Sequence, residues 1–571
     1  DGSIYKIYPK EHLSPLKQYQ NGVTHKNIVC NEELMPIMSK SGSIYCVQPG
    51  TATTLVNVLN WSIEHPDMPK IELKNQDLHG LNFEHLNLSY SDFRGSDFDN
   101  AKITNTNFAK ANLSDANLLG MDMTGTILTG ADLSDANLAD VDFSGMDLTE
   151  TRLIGTDLSN AVLTGTILTG ADLSQTNLTG VDLSGMNLSG VRLAGVDLSN
   201  EILADTILTG ADLSDTNLAG VDLSGMDLTG TILSGADLSN AVTTGTILTG
   251  ADLSDANLAG IDLSGMDLTE MKLTGADLSN AVLTETIMAG ADLRRTNLSD
   301  VDLSGWDLTG TILSSADLTN TVLPSDYLSQ NDFTSTVFDG VDLSGKDLTG
   351  SDFQYASFKN TNLQNANLSA ASFVQVDFTE IKNRSLVGTD LLGTSFSHSN
   401  LSGVNLDDVI LVGINFQYAD LTDQDFTNNI TIIGGDFLSA ELSKANFDGT
   451  DFGLWTTSRT FENQGYVIKD MLDSPGELRT AIENELFHLT PGTKNIMLLM
   501  EVHLVGDDVV VEYGILNNFS KANLENASFK NANLRYAAFQ NANLTNADLT
   551  GANLEGADLT GANLEGADLT G

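Results

Sequence analysis

Residues 131–170 read ADLSDANLAD VDFSGMDLTE TRLIGTDLSN AVLTGTILTG, and this stretch decides the fold. A Leu or Phe recurs every five residues, and a smaller residue, most often Ala, Thr or Val, stands two positions before it. An apolar period of five matches neither the 3.6 residues of a helical turn nor the 2.0 of a strand. It fits a square coil in which each unit forms one side and a turn. The Leu or Phe and the smaller residue then point inward, and the other three residues face water.

The same units continue through most of the chain. From about Ile71 onward, Leu or Phe stands at nearly every position that ends in 3 or 8. Residues 381–385 then add about three residues, residues 430–435 add one more, and after each addition the pattern resumes at once. We interpret both additions as bulges or corner loops. The pattern stops at Phe452, returns at Phe519 and runs to the last residue.

These units resemble the pentapeptide-repeat family over most of the chain. The resemblance implies an all-β solenoid, a right-handed quadrilateral parallel β-helix with about 20 residues per coil. Within the stretch that lacks repeats, residues 474–486 predict a helix, and residues 495–515 predict a β-hairpin. We therefore predict four segments. They are a non-repeat N-terminal segment at 1–70, the β-helix at 71–452, a small α+β insert at 453–516 and a C-terminal repeat block at 517–571.

The composition is strongly acidic, with 77 Asp and Glu against 27 Lys and Arg and a formal net charge of −50. Binding to nucleic-acid phosphates requires basic patches, so this charge argues against a nucleic-acid partner. Two interpretations stay open: a soluble surface that binds cations, and a surface that mimics DNA. Hydrophobic residues make up 41% of the chain, enough to build a core. No stretch approaches the ~18 apolar residues of a membrane-spanning helix.

The two cysteines, Cys30 and Cys46, lie close together in the N-terminal segment. Such a pair in an otherwise cysteine-free chain favours one disulfide and an oxidising compartment, although two unpaired buried thiols are an alternative. The surrounding segment weakly resembles a two-Cys module of exported archaeal surface proteins. The chain also begins at Asp1 without a methionine, as an exported or trimmed protein does. We therefore expect an extracellular or cell-surface location.

A second period of 40 residues, or two coils, runs from about residue 121 to 350. Aspartates that would stack ~4.8 Å apart in consecutive coils are thereby spaced ~9.6 Å apart, about one Debye length. On one side the alternate positions include Arg152 and Arg192, which predicts Asp–Arg pairs. Like charges directly opposite each other destabilise strand pairing. We therefore interpret the alternation as a way to reduce repulsion between stacked carboxylates.

On two adjacent sides the alternate positions hold Ile or Val. These residues are in phase, so they predict an apolar ridge on an acidic surface, which is a candidate for lateral contact. The alternative is β-propensity alone, because β-branched residues suit exposed strands. The predicted ridge residues are Val162, Ile167, Ile202, Ile207, Val242, Ile247, Val282 and Ile287.

The last 20 residues repeat ANLEGADLTG twice, and no capping helix follows them. The end of a β-helix exposes unpaired backbone groups and needs a cover. We predict that another copy covers this end and that the protein forms a head-to-tail homopolymer. The candidate end-contact residues are Ala562, Leu564, Ala567 and Leu569.

The sequence contains no HExxH, P-loop, GxSxG or zinc-type cysteine motif. Aspartate pairs such as Asp142 and Asp147 would bind Ca²⁺ only weakly, because Ca²⁺ needs about six to eight oxygen ligands. We therefore predict a non-enzymatic protein without catalytic residues, cofactor or dedicated metal site.

The favoured function is a secreted structural scaffold that assembles into a filament or surface structure. The alternative is a binding protein, because the resemblance implies DNA mimicry and contact with DNA gyrase for some family members. A delivered effector that acts by protein–protein contact belongs to the same alternative. An effector with an enzymatic insert at 453–516 is a third hypothesis, but this segment lacks a convincing nucleophile and base.

Overall fold

The chain forms two compact units, Asp1–Asp262 (unit 1) and Leu263–Gly571 (unit 2), which we describe separately. At 35–47 and 455–515, only the backbone of the strands is described. The predicted disulfide involves Cys30 and the predicted helix spans 474–486, and both lie outside the described residues. The computed structural model describes residues 35–38, 44–47, 72–409, 411–428, 432–452, 455–461, 497–505 and 508–571.

Unit 1 contains a short antiparallel strand pair and a parallel β-helix. Strand β1 (Met35–Met38) pairs with β2 (Ile44–Val47). From residue 72 onward, single-residue parallel bridges join outward residues 20 positions apart, such as Asp142 with Val162 and Asp147 with Ile167. The bridges recur every five residues, so 20 residues make one four-sided coil. The predicted all-β solenoid is therefore confirmed.

Backbone hydrogen bonds hold each coil to its neighbours and close each turn. The N–H of Leu133 donates to the carbonyl of Arg152 in the next coil at 2.7 Å. Within the coil, the N–H of Ala136 donates to the carbonyl of Leu133 at 3.0 Å and closes the corner. Because many units repeat this pattern, much of the backbone of the coil is hydrogen-bonded without long strands or helices.

The last residue of most units turns the corner in the left-handed region, which favours Gly, Asn and Asp. Asp135 has φ 56° and Gly155, one coil later, has φ 67°. A Cβ atom on Gly155 would lie 2.4 Å from Oδ1 of Asp135. Glycine at this corner therefore leaves room for the aspartate side chain of the preceding coil.

The core consists of the inward Leu or Phe and the smaller residue before it. Leu133 and Leu138 are fully buried, and so are Ala131 and Ala136. This is the inward arrangement that the five-residue period predicts. A buried threonine in the smaller position keeps its hydroxyl bonded: Oγ1 of Thr156 donates to the carbonyl of Leu133 at 2.8 Å. The buried hydroxyl of Thr156 is thus hydrogen-bonded, as is usual for polar groups inside proteins.

Unit 2 is a β-helix of the same kind, and phenylalanines form a continuous stack inside it. Neighbouring rings in the stack lie 4.7 to 5.6 Å apart between centroids, with interplanar angles between 4° and 27°. Each ring comes from a different coil on the same side. Stacked aromatic pairs contribute energy beyond the burial of their area. The stack contains Phe333, Phe353, Phe373, Phe396, Phe416, Phe437, Phe519 and Phe539.

The two added segments predicted from the sequence lie within unit 2 and leave the ladder intact. Ser372 bridges Ser395, which is 23 positions later, and a short 3₁₀ turn at Lys382–Arg384 accommodates the three extra residues. Asn415 bridges Asp436, 21 positions later, so one residue is added there. In the same region β3 (Leu411–Val412) pairs in parallel with β4 (Ile432–Ile433).

The stretch without repeats contains a three-stranded antiparallel sheet. Its strands are β5 (Trp455–Phe461), β6 (Met497–Val505) and β7 (Asp508–Leu516), in the order β5-β7-β6. The predicted hairpin corresponds to β6 and β7. Strand β5 was not predicted from the sequence.

The β-helix continues directly across this insert. Asp436 bridges Asn518, 82 positions later instead of 20, so the insert adds 62 residues to one coil. Asn517 fastens the junction: its Oδ1 accepts the N–H of Gly435 at 2.9 Å, and its Nδ2 donates to the carbonyl of Phe452 at 3.2 Å. Residues 517–571 therefore extend the coils that precede the insert.

Candidate protein-contact surface

The predicted ridge residues all lie on the outside of the β-helix. In unit 1 they form three pairs, one pair on every second coil, and we call these six residues the ridge. Val282 and Ile287 occupy equivalent positions in unit 2. All eight side chains are between 45% and 69% exposed. The ridge residues are Val162, Ile167, Ile202, Ile207, Val242 and Ile247.

Acidic side chains fill the coils between the ridge pairs. Asp142 bridges Val162, and Asp147 bridges Ile167, so each apolar residue has a carboxylate as its ladder neighbour on the preceding coil. The same alternation recurs farther along unit 1, where Asn187 replaces one aspartate. We call the acidic residues of these coils the carboxylate rows. They are Asp142, Asp147, Asp182, Asp222 and Asp227.

Hydrogen bonds fix the carboxylate rows in position. Oδ1 of Asp142 accepts the N–H of Ser144 at 2.9 Å and its hydroxyl at 2.5 Å. Oδ1 of Asp227 accepts the N–H of Thr229 at 2.9 Å. Such bonds favour the charged form, and they hold the pKa of all five aspartates below the ordinary value. The rows are therefore fully ionised at neutral pH.

On the other two sides of unit 1, neighbouring polar or basic side chains interact with the aspartates. On one side asparagine alternates with aspartate, and Nδ2 of Asn177 donates to Oδ1 of Asp157 at 2.9 Å. On the other side Arg192 forms an ion pair with Asp172 at 3.5 Å. Arg152 has no ion-pair partner among the described residues, so the predicted Asp–Arg pairing holds for one arginine of the two. Neutralising groups thus lie outside the ridge face.

Two local irregularities flank the ridge. A cleft of about 220 Å³ opens beside the first carboxylate row and is lined in part by Met121, Met123 and Met146. Glu201 occupies an inward position that an apolar residue, such as Ala, Val, Met or Ile, fills in the neighbouring coils, and burial raises the pKa of its carboxyl. Glu201 was not predicted as a site residue, although a charged residue in the smaller inward position is visible in the repeat.

The candidate end-contact residues belong to the last coil. Leu569 is 50% exposed, whereas Leu549 in the coil before it is 2% exposed. Ala562, Leu564 and Ala567 are also less buried than the inward residues of earlier coils. A further coil stacked on this face, from any source, would cover them.

The described part of the chain contains no cluster of three or more His, Cys, Asp or Glu residues arranged to hold a metal ion. Within the same residues, no helix has the length and apolar character needed to cross a bilayer.

A four-sided parallel β-helix with an exposed, periodic surface defines a solenoid protein. Residues 70–203, 206–413 and 518–571 match the family described as pentapeptide repeats, which is more than half of the chain. The chain belongs to the pentapeptide-repeat family, and its fold is the right-handed quadrilateral β-helix. No curated protein sequence gives a significant match.

Several solved structures are similar to parts of the chain. HetL, a pentapeptide repeat protein involved in heterocyst differentiation regulation from the cyanobacterium Nostoc sp. strain PCC 7120, is 27% identical over 49% of this chain and 98% of its own, with a TM-score of 0.15. A pentapeptide repeat protein from the Arabidopsis thaliana thylakoid lumen is 32% identical. The match covers 20% of this chain and 68% of the Arabidopsis chain, with a TM-score of 0.12. QnrB1, a plasmid-mediated fluoroquinolone resistance protein, is 20% identical. The match covers 42% of this chain and 88% of the QnrB1 chain, with a TM-score of 0.14. Because all three TM-scores are low, we base the fold on the bridge ladder and the family match.

Proposed function

We propose that this protein is a non-catalytic scaffold that associates side by side with copies of itself through the ridge. The observation that carries the proposal is the phase of the ridge. Exposed Ile and Val occur together on two adjacent sides of the same coils, and ionised aspartates occupy the coils between them. Exposed apolar groups in a regular array favour a contact surface.

The spacing of the ridge favours a second copy as the partner. A stable interface buries about 800 Å² on each side, far more than one pair of half-exposed side chains supplies. A partner must therefore engage several ridge pairs at once, and it must present apolar groups every second coil. The ridge of another copy has this period by construction, and an unrelated surface does not.

Head-to-tail growth and an extracellular location complete the proposal. Side-by-side and end-to-end contacts together would give a filament or a surface layer. The alternative function, a DNA-mimicking binding protein, predicts discrete complexes with a DNA-binding enzyme and no self-association through the ridge.

The test is a ridge variant in which Ile167, Ile207 and Ile247 are each replaced by Ser. The matched control is Ile232→Ser, because Ile232 is 43% exposed in the same unit but lies on a different side. Sedimentation velocity in about 1 M NaCl, where the Debye length is ~3 Å, measures association over a range of protein concentrations. We expect the ridge variant to associate less than the wild type and the control, because the substitutions remove the side-by-side contact and leave only the end-to-end contact. Equal association of all three proteins would refute the role of the ridge.

A further inference from the structure

We infer that the carboxylate rows make side-by-side association depend on ionic strength, so that copies separate in dilute salt and associate in concentrated salt. This inference rests on the proposed function and concerns the same face. It follows from the period of the surface, from the fixed position of the carboxylates and from the absence of ion pairs at the five row aspartates among the described residues.

The period leaves no register that avoids the carboxylates. Ridge pairs and carboxylate rows alternate coil by coil, as the bridges of Asp142 with Val162 and of Asp227 with Ile247 show. When ridge pairs of two copies meet, carboxylate rows of the two copies meet as well. A shift by one coil instead places carboxylates against apolar side chains and removes them from water, which is costly without a partner. The first register is the better one, and it opposes like charges.

The carboxylates cannot easily turn away from such a contact. Ser144 holds the Asp142 carboxylate through two hydrogen bonds, and Thr149 donates its N–H to Asp147 at 2.9 Å. Turning either side chain outward would break these bonds. The carboxylate rows thus present their charge at defined positions along the face.

Within the described residues, no basic side chain forms an ion pair with the five aspartates of the carboxylate rows, whereas Asp172 on another side pairs with Arg192. The Debye length is ~8 Å at physiological ionic strength and ~3 Å at 1 M salt. Exposed charges that repel across an interface are therefore screened strongly in concentrated salt, while the apolar contact is not weakened by it.

Asparagine offers a substitution that removes charge and keeps the local structure. Asn187 already stands in one of these rows, where its Oδ1 accepts the N–H of Ser189 at 3.1 Å. An asparagine at the aspartate positions can accept the same bond. We therefore expect the quadruple row variant to fold as the wild type does. It carries Asp142→Asn, Asp147→Asn, Asp222→Asn and Asp227→Asn.

The experiment compares association of the full chain at about 0.05 M and 1 M NaCl by sedimentation velocity. We expect the wild type to associate at least about tenfold more tightly in the higher salt, and the row variant to associate equally well in both. The control variant removes the same number of charges from another side of unit 1. It carries Asp132→Asn, Asp172→Asn, Asp212→Asn and Asp252→Asn, and it should behave as the wild type.

The outcomes separate this inference from the proposed function. Salt-independent association of the wild type would overturn the inference and leave the ridge as a contact surface. A control variant that gains association in dilute salt as much as the row variant would also overturn it, because total charge and not the rows would then decide. If neither the wild type nor the row variant associates at either salt concentration, the proposed function fails and the inference fails with it.

Discussion

The insert at 453–516 should be removable without loss of the β-helix. Deletion of residues 454–515 joins Gly453 to Leu516 and places Phe519 five residues after Phe452, which is the spacing of the repeat. In the intact protein the coil after the insert already stacks on the coil before it. Phe437 and Phe519 lie 4.7 Å apart between ring centroids, and Phe447 and Phe529 lie 4.8 Å apart. The deletion therefore leaves the packed coils as they are.

The size of the effect follows from the entropy of loop closure. Closing a flexible loop of 62 residues costs about 3.7 kcal/mol, from (3/2)RT ln n. The sheet of the insert offsets part of this entropy cost. It pairs Trp455 with Ile515 and so brings the two ends of the insert together. We therefore expect the deletion to change the free energy of unfolding by between zero and about 4 kcal/mol in the stabilising direction.

Thermal denaturation followed by far-UV circular dichroism measures this change. The matched control is deletion of residues 454–516, which removes one residue more and places Phe519 four residues after Phe452 instead of five. A one-residue shift turns inward side chains away from the core, so the control should lose the ordered coils after the junction. If the in-register deletion loses as much β signal as the control, or melts well below the wild type, the insert holds the coils together and our reasoning is wrong.

Two further predictions concern single residues. Phe519→Ala removes the ring between Phe437 and Phe539 in the phenylalanine stack and should destabilise unit 2 by about 3–5 kcal/mol, measured by denaturant unfolding. A loss below about 1 kcal/mol would contradict a packed stack. Glu201→Val should stabilise unit 1 by about 1 kcal/mol at pH 7. Because burial raises the pKa of Glu201 in the folded state, the ionised carboxylate destabilises the fold as pH rises through that pKa. The gain from the valine should thus shrink at pH 4, and equal gains at both pH values would speak against burial as the cause.

The inward side of the fold could be predicted from the sequence because it obeys a local rule. A Leu every five residues meets a core position in every unit, and the left-handed corner favours Gly, Asn or Asp at the fifth residue. The additions near residues 382 and 432 were predicted from the same rule, since each shifts the period by its own length. Local spacing was sufficient for all of these features.

Features that depend on distant partners were not predicted. Strand β5 forms its ladder with β7, so that Phe461 lies opposite Val509, and nothing near β5 in the sequence specifies that register. Arg152 and Arg192 stand in equivalent sequence contexts, yet only Arg192 forms an ion pair among the described residues. An exposed arginine side chain gains little from one ion pair, so sequence position alone does not fix its rotamer.

The pairing of two apolar columns in the same coils argues for a contact function of the ridge. The inward Leu or Phe recurs in every coil, but the smaller inward residue alternates in phase with the ridge, as buried Thr166, Met186 and Thr206 show, so the 40-residue period alone does not identify a contact surface. β-Propensity would be satisfied by Ile or Val on any side and in any coil. Repulsion between stacked aspartates would be reduced equally well by Asn, which already separates Asp157 from Asp197 on another side. Neither cause requires Val162 and Ile167 to share a coil, whereas a partner that contacts two adjacent sides at once does.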